Sequence, residues 1–350
     1  VAMQLLGSLL NHFAKERGEK IAVLGATSGD TGAAAISACS RQENVEVYIL
    51  YPHGKVTDFQ RKQMTTTHSA NVFPLAIQSD FDGCQDIVKQ MFLDDEFKDR
   101  EVKFIAANSI NWARCMTQSV YFFWTYLRLN KKNEKLTFSI PSGNFGHAYA
   151  GWTAKEMGLP IESLLIATNT NDVLDKTFTQ NKYEKSNVVQ TLAPSMDISV
   201  ASNFERLLYN LFDNNSSMLA EAMNSFPETS ISIPKAKRNL VSKFFKSHKS
   251  DDEEILRQIR ETYEDIGYML DPHTATGVKA SSILSKTTDP VVVMGTAHPA
   301  KFIEAIEKAV PGFSPEVPEK LKKSFQKDEI FKLLPEDYSE IKNFILNNAL

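Results

Sequence analysis

The chain has 350 residues, of which 42% are hydrophobic and 23% charged, a balance suited to two domains or to one large domain with an inserted lobe. Its 39 basic and 43 acidic residues leave a formal charge of −4, so no basic field recruits nucleic acid or an anionic membrane. No apolar run reaches the ~18 residues of a spanning helix. Cys39, Cys84 and Cys115 are odd in number, far apart and without a metal-ligand spacing, which predicts free buried thiols in a reducing, cytoplasmic compartment and no metal site.

Val1 opens straight into an amphipathic pattern, Ala2-Met3-Gln4-Leu5-Leu6 followed by Leu9, Leu10 and Phe13, with no initiator methionine and no capping residue ahead of it. A helix seldom starts a native chain this way, and the expectation is a truncated N-terminus. Short β-branched runs then alternate with helical patterns. Ile21–Leu24, Val45–Leu50, Val72–Ile77, Leu136–Ile140, Leu164–Ala167 and Val291–Met294 read as strands. Helices are predicted near Thr31–Ser40, Asp82–Leu93, Trp112–Leu129, Gly146–Met157 and Pro299–Val310. Such alternation predicts an α/β fold with largely parallel sheets covered by helices on both faces. Residues 214–262 are polar, rich in Ser, Asn and Lys, and read as a peripheral helical insertion. Residues 311–330, with Pro311, Pro315 and Pro318, read as a surface connection to a last short helix.

Three strand-to-helix turns are built for anions. The first is Gly25-Ala26-Thr27-Ser28-Gly29-Asp30-Thr31-Gly32, where hydroxyls and backbone N–H groups converge on the start of an alanine-rich helix. The second is Ala107-Asn108-Ser109-Ile110-Asn111-Trp112-Ala113-Arg114. Here Arg114, one turn into a long apolar helix, can fold back so that its guanidinium fork meets a phosphate. The third is Ile140-Pro141-Ser142-Gly143-Asn144-Phe145-Gly146-His147, with two glycines that let backbone approach a phosphate closely. Each alone is also what an ordinary capped turn looks like; three in one α/β chain point to a ligand set with several anionic groups. A dinucleotide is disfavoured, because the second strand ends in Tyr51-Pro52 where a ribose-binding acid is expected.

Together these segments resemble threonine synthase, of the fold-type-II pyridoxal-phosphate (PLP) enzymes that include the tryptophan synthase β-subunit. The match also takes in Gly295-Thr296-Ala297-His298-Pro299-Ala300-Lys301-Phe302, Asp271-Pro272-His273 and Leu192-Ala193-Pro194-Ser195-Met196-Asp197, and runs from Val1 to about residue 312. The resemblance implies pyridoxal 5'-phosphate as cofactor, with Ser142, Gly143, Asn144, Phe145 and Gly146 around its phosphate. It implies Asp30 near the 3'-oxygen and Thr296 facing the pyridine nitrogen, a neutral hydroxyl that leaves that nitrogen largely unprotonated. Thr27, Ser28, Gly29 and Thr31 would hold the carboxylate of O-phosphohomoserine, and Asn108, Ser109 and Arg114 its phosphate. The role of His147 stays open, while His273 and His298 are expected to pack or cap near the site.

The family likeness also implies the lobes: residues 1–20 with 131–350 as a larger PLP-binding lobe, and 21–130 as a smaller mobile one. The cofactor would lie between them, and closure would exclude water. It places the Schiff-base lysine, anchor and proton shuttle, in a Phe-Lys-Asp motif immediately before the helix that opens at Val1. The chain is therefore expected to lack that motif, with Lys15, Lys20, Lys55 and Lys301 in other contexts. The implied reaction is water addition with phosphate loss to give threonine. A threonine-synthase-like phospholyase releasing 2-oxobutanoate, and a non-catalytic PLP or metabolite-binding protein, stand as alternatives. The sequence leaves the oligomeric state open.

Overall fold

The computed structural model describes residues 2–98, 100–108, 111–129, 134–285 and 290–349. Nine strands are present among them: β1 Ile21–Ala26, β2 Val45–Pro52, β3 Val72–Ile77, β4 Lys103–Ala106, β5 Leu136–Pro141, β6 Ile161–Thr168, β7 Phe245–Lys249, β8 Val291–Val293 and β9 Lys332–Leu334. The chain divides into two compact units, Val1–Thr117 with Glu316–Leu350, and Gln118–Pro315.

The first unit holds a parallel sheet of order β4-β1-β2-β3-β9. Every residue of β1 and β2 is buried, because alternate side chains feed two separate cores. Val23, Val47 and Ile49 pack with Met3, Leu6, Ala33 and Ile36 from helices Ala2–Arg17 and Asp30–Cys39. Ala22, Leu24, Tyr48 and Leu50 pack with Ile87, Met91, Ile341 and Ile345 from helices Phe81–Leu93 and Tyr338–Asn348. The opening helix lies so near its neighbour that a Cβ on Gly7 would meet the Ala38 carbonyl oxygen at 2.7 Å.

The second unit holds a parallel sheet of order β7-β6-β5-β8. One face carries an aromatic core in which Phe138, Ile166 and Phe245 meet Phe122, Phe145, Trp152 and Phe204. The other face is covered by the helix Pro272–Leu284, pinned where Ser139 Oγ donates to the Gly277 carbonyl at 2.6 Å.

The parallel α/β class is as expected, and the helix Trp112–Leu129 has its expected limits. Two readings need correction. Residues 214–262 are not wholly a helical insertion, since Phe245–Lys249 is the edge strand of the second sheet and Phe244 and Phe245 lie in its core. A five-residue strand among lysines and serines has no period long enough to be read against helical neighbours. The division also runs differently from the expected lobes. The opening helix packs on the first unit, and the tail returns there to add β9 beside β3.

Candidate active site

In the first unit, β1 runs into a turn that caps its own helix. Thr27, buried, accepts the backbone N–H groups of Gly29 and Gly32 on Oγ1 at 2.9 Å each, which leaves its hydroxyl proton for another acceptor. Gly29 sits at φ 141, a region only glycine enters freely, and a Cβ there would strike the Gln60 amide. Gln60 Nε2 donates to Asp30 Oδ1 at 3.1 Å, and Asp30 opens the helix where an acid is favoured. Ser28 is exposed and Thr31 half-buried.

The second turn behaves as its spacing suggested. The Arg114 side chain folds back, and Nη1 donates to the Ala107 carbonyl at 3.0 Å. Its Nε is closed off from solvent without a partner among the described residues, and burial lowers the guanidinium's pKa. Among the described residues no carboxylate pairs with it, so a cation stands with only a neutral oxygen beside it. Asn108 lies at the same helix start, its carbonyl accepting the Asn111 N–H at 3.2 Å. Ser109 lies outside the described residues.

In the second unit, the turn after β5 begins with Ser142 N–H donating to the Ala167 carbonyl at 2.8 Å. Asn144 ties it down. Its Oδ1 accepts from Ser202 N–H at 2.7 Å and Ser202 Oγ at 2.6 Å, and its carbonyl accepts from Asn203 N–H at 3.2 Å. Phe145 takes a left-handed φ of 62, held there because its ring is sunk in the aromatic core 5.3 Å from Phe204. The helix then starts at Gly146. Among the described residues no hydrogen bond takes the N–H groups of Gly143, Phe145 or Gly146, nor the Ser142 hydroxyl. Convergent donors at a helix N-terminus suit a phosphate group, so the residues present fit PLP's phosphate.

A buried polar network backs this turn. A Cβ on Gly143 would meet Met196 Cα at 2.9 Å and the Ser195 carbonyl oxygen at 3.2 Å. Ser195 N–H donates to His273 Nε2 at 3.1 Å, so that nitrogen is an acceptor and the ring proton sits on Nδ1, 3.0 Å from Asp271 Oδ1. Asp271 caps the helix Pro272–Leu284 and also accepts the Thr274 hydroxyl. Burial pushes its carboxyl up, but the His273 and Thr274 donors outweigh that and hold it below the ordinary carboxylate range. Thr296 Oγ1 lies 3.3 and 3.4 Å from the two Asp271 oxygens. Asp197 anchors a neighbouring loop in the same manner. It accepts from Asn169 Nδ2 at 2.7 Å, Asn171 Nδ2 at 3.0 Å, and Thr191 Oγ1 and N–H at 2.7 and 2.9 Å.

Comparison with known proteins places the chain in a family. A family model described as "Pyridoxal-phosphate dependent enzyme" matches residues 2–225, and one described as "Threonine synthase, C-terminal" matches 274–345. The threonine synthase of Pseudomonas aeruginosa is 43% identical over 346 residues, which are 98% of this chain and 74% of that protein. A crystal structure of PLP-bound threonine synthase from Brucella melitensis superposes with a TM-score of 0.94 at 40% identity, covering 100% of this chain and 75% of the other. This chain belongs to the threonine synthase family. The fold is also shared at 13% identity and a TM-score of 0.59 with a threonine deaminase from Solanum lycopersicum. That likeness speaks to fold type II and not to chemistry.

Within the threonine synthase frame, several supporting residues had no isolated signal in the sequence. Gln60, Asn169, Asn171, Ser202 and Asn203 are single polar residues whose partners lie far along the chain. Asp271 was findable, because an acid followed by proline is a helix start. One expectation about lysine needs correction. The tripeptide Phe-Lys-Asp does occur, as Phe97-Lys98-Asp99. Lys98 is nonetheless exposed at a short helix's end, its Nζ 2.8 Å from Asp95 and 2.9 Å from the Leu93 carbonyl. His298 caps a short 3-10 turn by accepting the Ala300 N–H at 3.2 Å, as expected. No helix among the described residues is long and apolar enough to cross a membrane.

Proposed function

We propose that this sequence carries out the threonine synthase reaction, converting O-phospho-L-homoserine and water to L-threonine and phosphate. The observation that carries the proposal is Arg114, a folded-back guanidinium that meets the Ala107 carbonyl and no acid among the described residues. A substrate phosphate supplies the missing anion, and Asn108 stands at the same helix start, with Ser109 next to it in the sequence. Thr27, Ser28, Gly29 and Thr31 take the substrate carboxylate, with the free proton of the Thr27 hydroxyl as one donor. Ser142 and the N–H groups of Gly143, Phe145 and Gly146 would hold the cofactor phosphate, Thr296 would meet its ring nitrogen and Asp30 would stand on its 3'-oxygen side. When bound, PLP supplies the electron sink that lets protons leave the substrate's carbons. The departing phosphate gains charge as its bond breaks, and a fixed guanidinium beside it favours that change.

The reading assigns the Schiff-base role to no lysine among these 350 residues, Lys98 included. It places the protein in the cytoplasm, supported by three buried free thiols, of which burial raises Cys39 and Cys84 to about 12. The test is product analysis of the native protein on O-phosphohomoserine. Equal amounts of threonine and phosphate support the proposal, and 2-oxobutanoate in place of threonine overturns it. Borohydride trapping of the native protein with PLP, followed by peptide mapping, tests the lysine assignment. A stoichiometric label on any lysine of this sequence sinks it.

A further inference from the structure

Thr296 is the one hydroxyl of the Asp271 network that is exposed, while Asp271, His273 and Thr274 are 2, 3 and 7% accessible. The direction of its proton follows from its neighbours. Asp271 is an ionised carboxylate and can only accept. It receives His273 N–H at 3.0 Å, the His273 ring proton on Nδ1, and the Thr274 hydroxyl. The Thr274 oxygen has thereby given up its own proton, and it accepts the Thr296 backbone N–H at 3.1 Å. The acceptors found for the Thr296 hydroxyl are therefore the two Asp271 oxygens and the Thr274 oxygen at 3.2 Å, all on its inner side. Its proton points inward, and its lone pairs face out.

We propose that Asp271 is a positioning residue that turns Thr296 into a hydrogen-bond acceptor, so that this site holds a heteroaromatic ring by a protonated nitrogen. This rests on the reading that Thr296 meets the cofactor's ring nitrogen, and it reverses the protonation that a lone neutral hydroxyl suggests. The physical difference is the buried carboxylate behind the hydroxyl. A proton shared with a charged acceptor is held more strongly than one offered to a neutral pyridine. The carboxylate also places negative charge one bond network away from the ring nitrogen, which favours its cationic form. His273 completes the arrangement, since its Nδ1 proton and the Ser195 N–H on its Nε2 fix the ring against Asp271.

The experiment uses 4'-deoxypyridoxine 5'-phosphate labelled with 15N in the ring, a cofactor analogue that has no aldehyde and needs no lysine. Its ring-nitrogen resonance, read at a pH where the free ligand is unprotonated, distinguishes the two forms. Bound to the unaltered protein, it is expected at the protonated position. Asp271→Asn keeps a good helix cap but donates an N–H toward Thr296, freeing the Thr296 proton to point outward; the resonance is expected to move to the unprotonated position. Thr296→Val should move the resonance and weaken binding at least several-fold. An unprotonated nitrogen in the unaltered protein, or no change on Asp271→Asn, overturns the proposal. Should Thr296→Val change neither the resonance nor the affinity, Thr296 does not meet the ring, and the underlying reading fails instead. Long-range 15N spectra of the histidines give a check without ligand: a protonated His273 Nε2 in the unaltered protein also overturns the proposal.

Discussion

Arg114 Nη1 donates to the Ala107 carbonyl at 3.0 Å, and the same side chain's Nε is sealed from solvent with no partner among the described residues. The carbonyl holds the fork at the helix start but neutralises nothing. Arg114→Lys keeps the charge and loses the fork. A hydrogen bond to a charged group is worth roughly 1.5–3 kcal/mol, so kcat/KM for O-phosphohomoserine should fall about 10- to 150-fold, and further in Arg114→Ala. Inhibition by inorganic phosphate should weaken in step, while PLP affinity stays within about twofold. Intact turnover and phosphate inhibition with a lower melting temperature would show instead that Arg114 only stabilises its helix.

Gly143→Ala tests the contact that shapes the turn proposed for the cofactor phosphate. The added Cβ would lie 2.9 Å from Met196 Cα and 3.2 Å from the Ser195 carbonyl oxygen, both backbone groups that cannot swing away. Overpacking of this kind costs about 1–3 kcal/mol, and the displaced turn no longer aims its N–H groups together. Urea denaturation and a titration with 4'-deoxypyridoxine 5'-phosphate should both report the loss. Unchanged values in both would mean that the turn is free to shift without consequence.

The three turns proposed for anions stood out in the sequence because each is local. Gly29, Asp30 and Gly32 stand within one turn, as do Ser142 to Gly146, and Arg114 lies one helical turn beyond Asn111. What lies behind the turns was not legible. Asn144 is held by Ser202 and Asn203, and Asn169 meets Asp197 across 28 residues, so no period or spacing announces either contact. The same reason hid β7 and β9. Both are short strands that become strands only by pairing with β6 and β3. Propensity is silent where pairing decides.

Asp197 gathers four donors from Asn169, Asn171 and Thr191 and so fixes the loop that carries Ser195 and Met196 against Gly143. Asp197→Ala leaves the Asn169 and Asn171 amides their other acceptors, the Ala193 and Val189 carbonyls among them, but strands the Thr191 N–H and hydroxyl, at about 1–3 kcal/mol for each that finds no water. Asp197→Asn retains an acceptor and should lose less. The expected pattern is a graded fall in stability with a parallel fall in PLP affinity. Equal stability for the alanine and asparagine variants would show that water replaces the carboxylate.

His147 gives a pH dependence whose sign can be worked out. The ring sits in the first turn of the helix Gly146–Glu156, 5.1 Å from Phe122 and 6.0 Å from Tyr121, with Nε2 closed off from solvent and unpartnered among the described residues. Burial pushes its pKa down from 6.5 to about 4. The unfolded chain therefore takes up a proton below pH 6.5 that the folded chain refuses until about pH 4, and stability falls as pH drops through that window. The full loss is roughly 3–3.5 kcal/mol. The comparison needed is His147→Phe, which fills similar space among the same aromatic neighbours and cannot titrate. At about pH 7.5, above the window, the variant should match the parent within about 1 kcal/mol. At about pH 5 the parent should have lost more stability than the variant, the background from carboxylates and from the similarly depressed His248 being common to both. Urea midpoints at the two pH values decide it, because parallel losses in parent and variant would mean that the His147 ring takes up its proton as readily folded as unfolded.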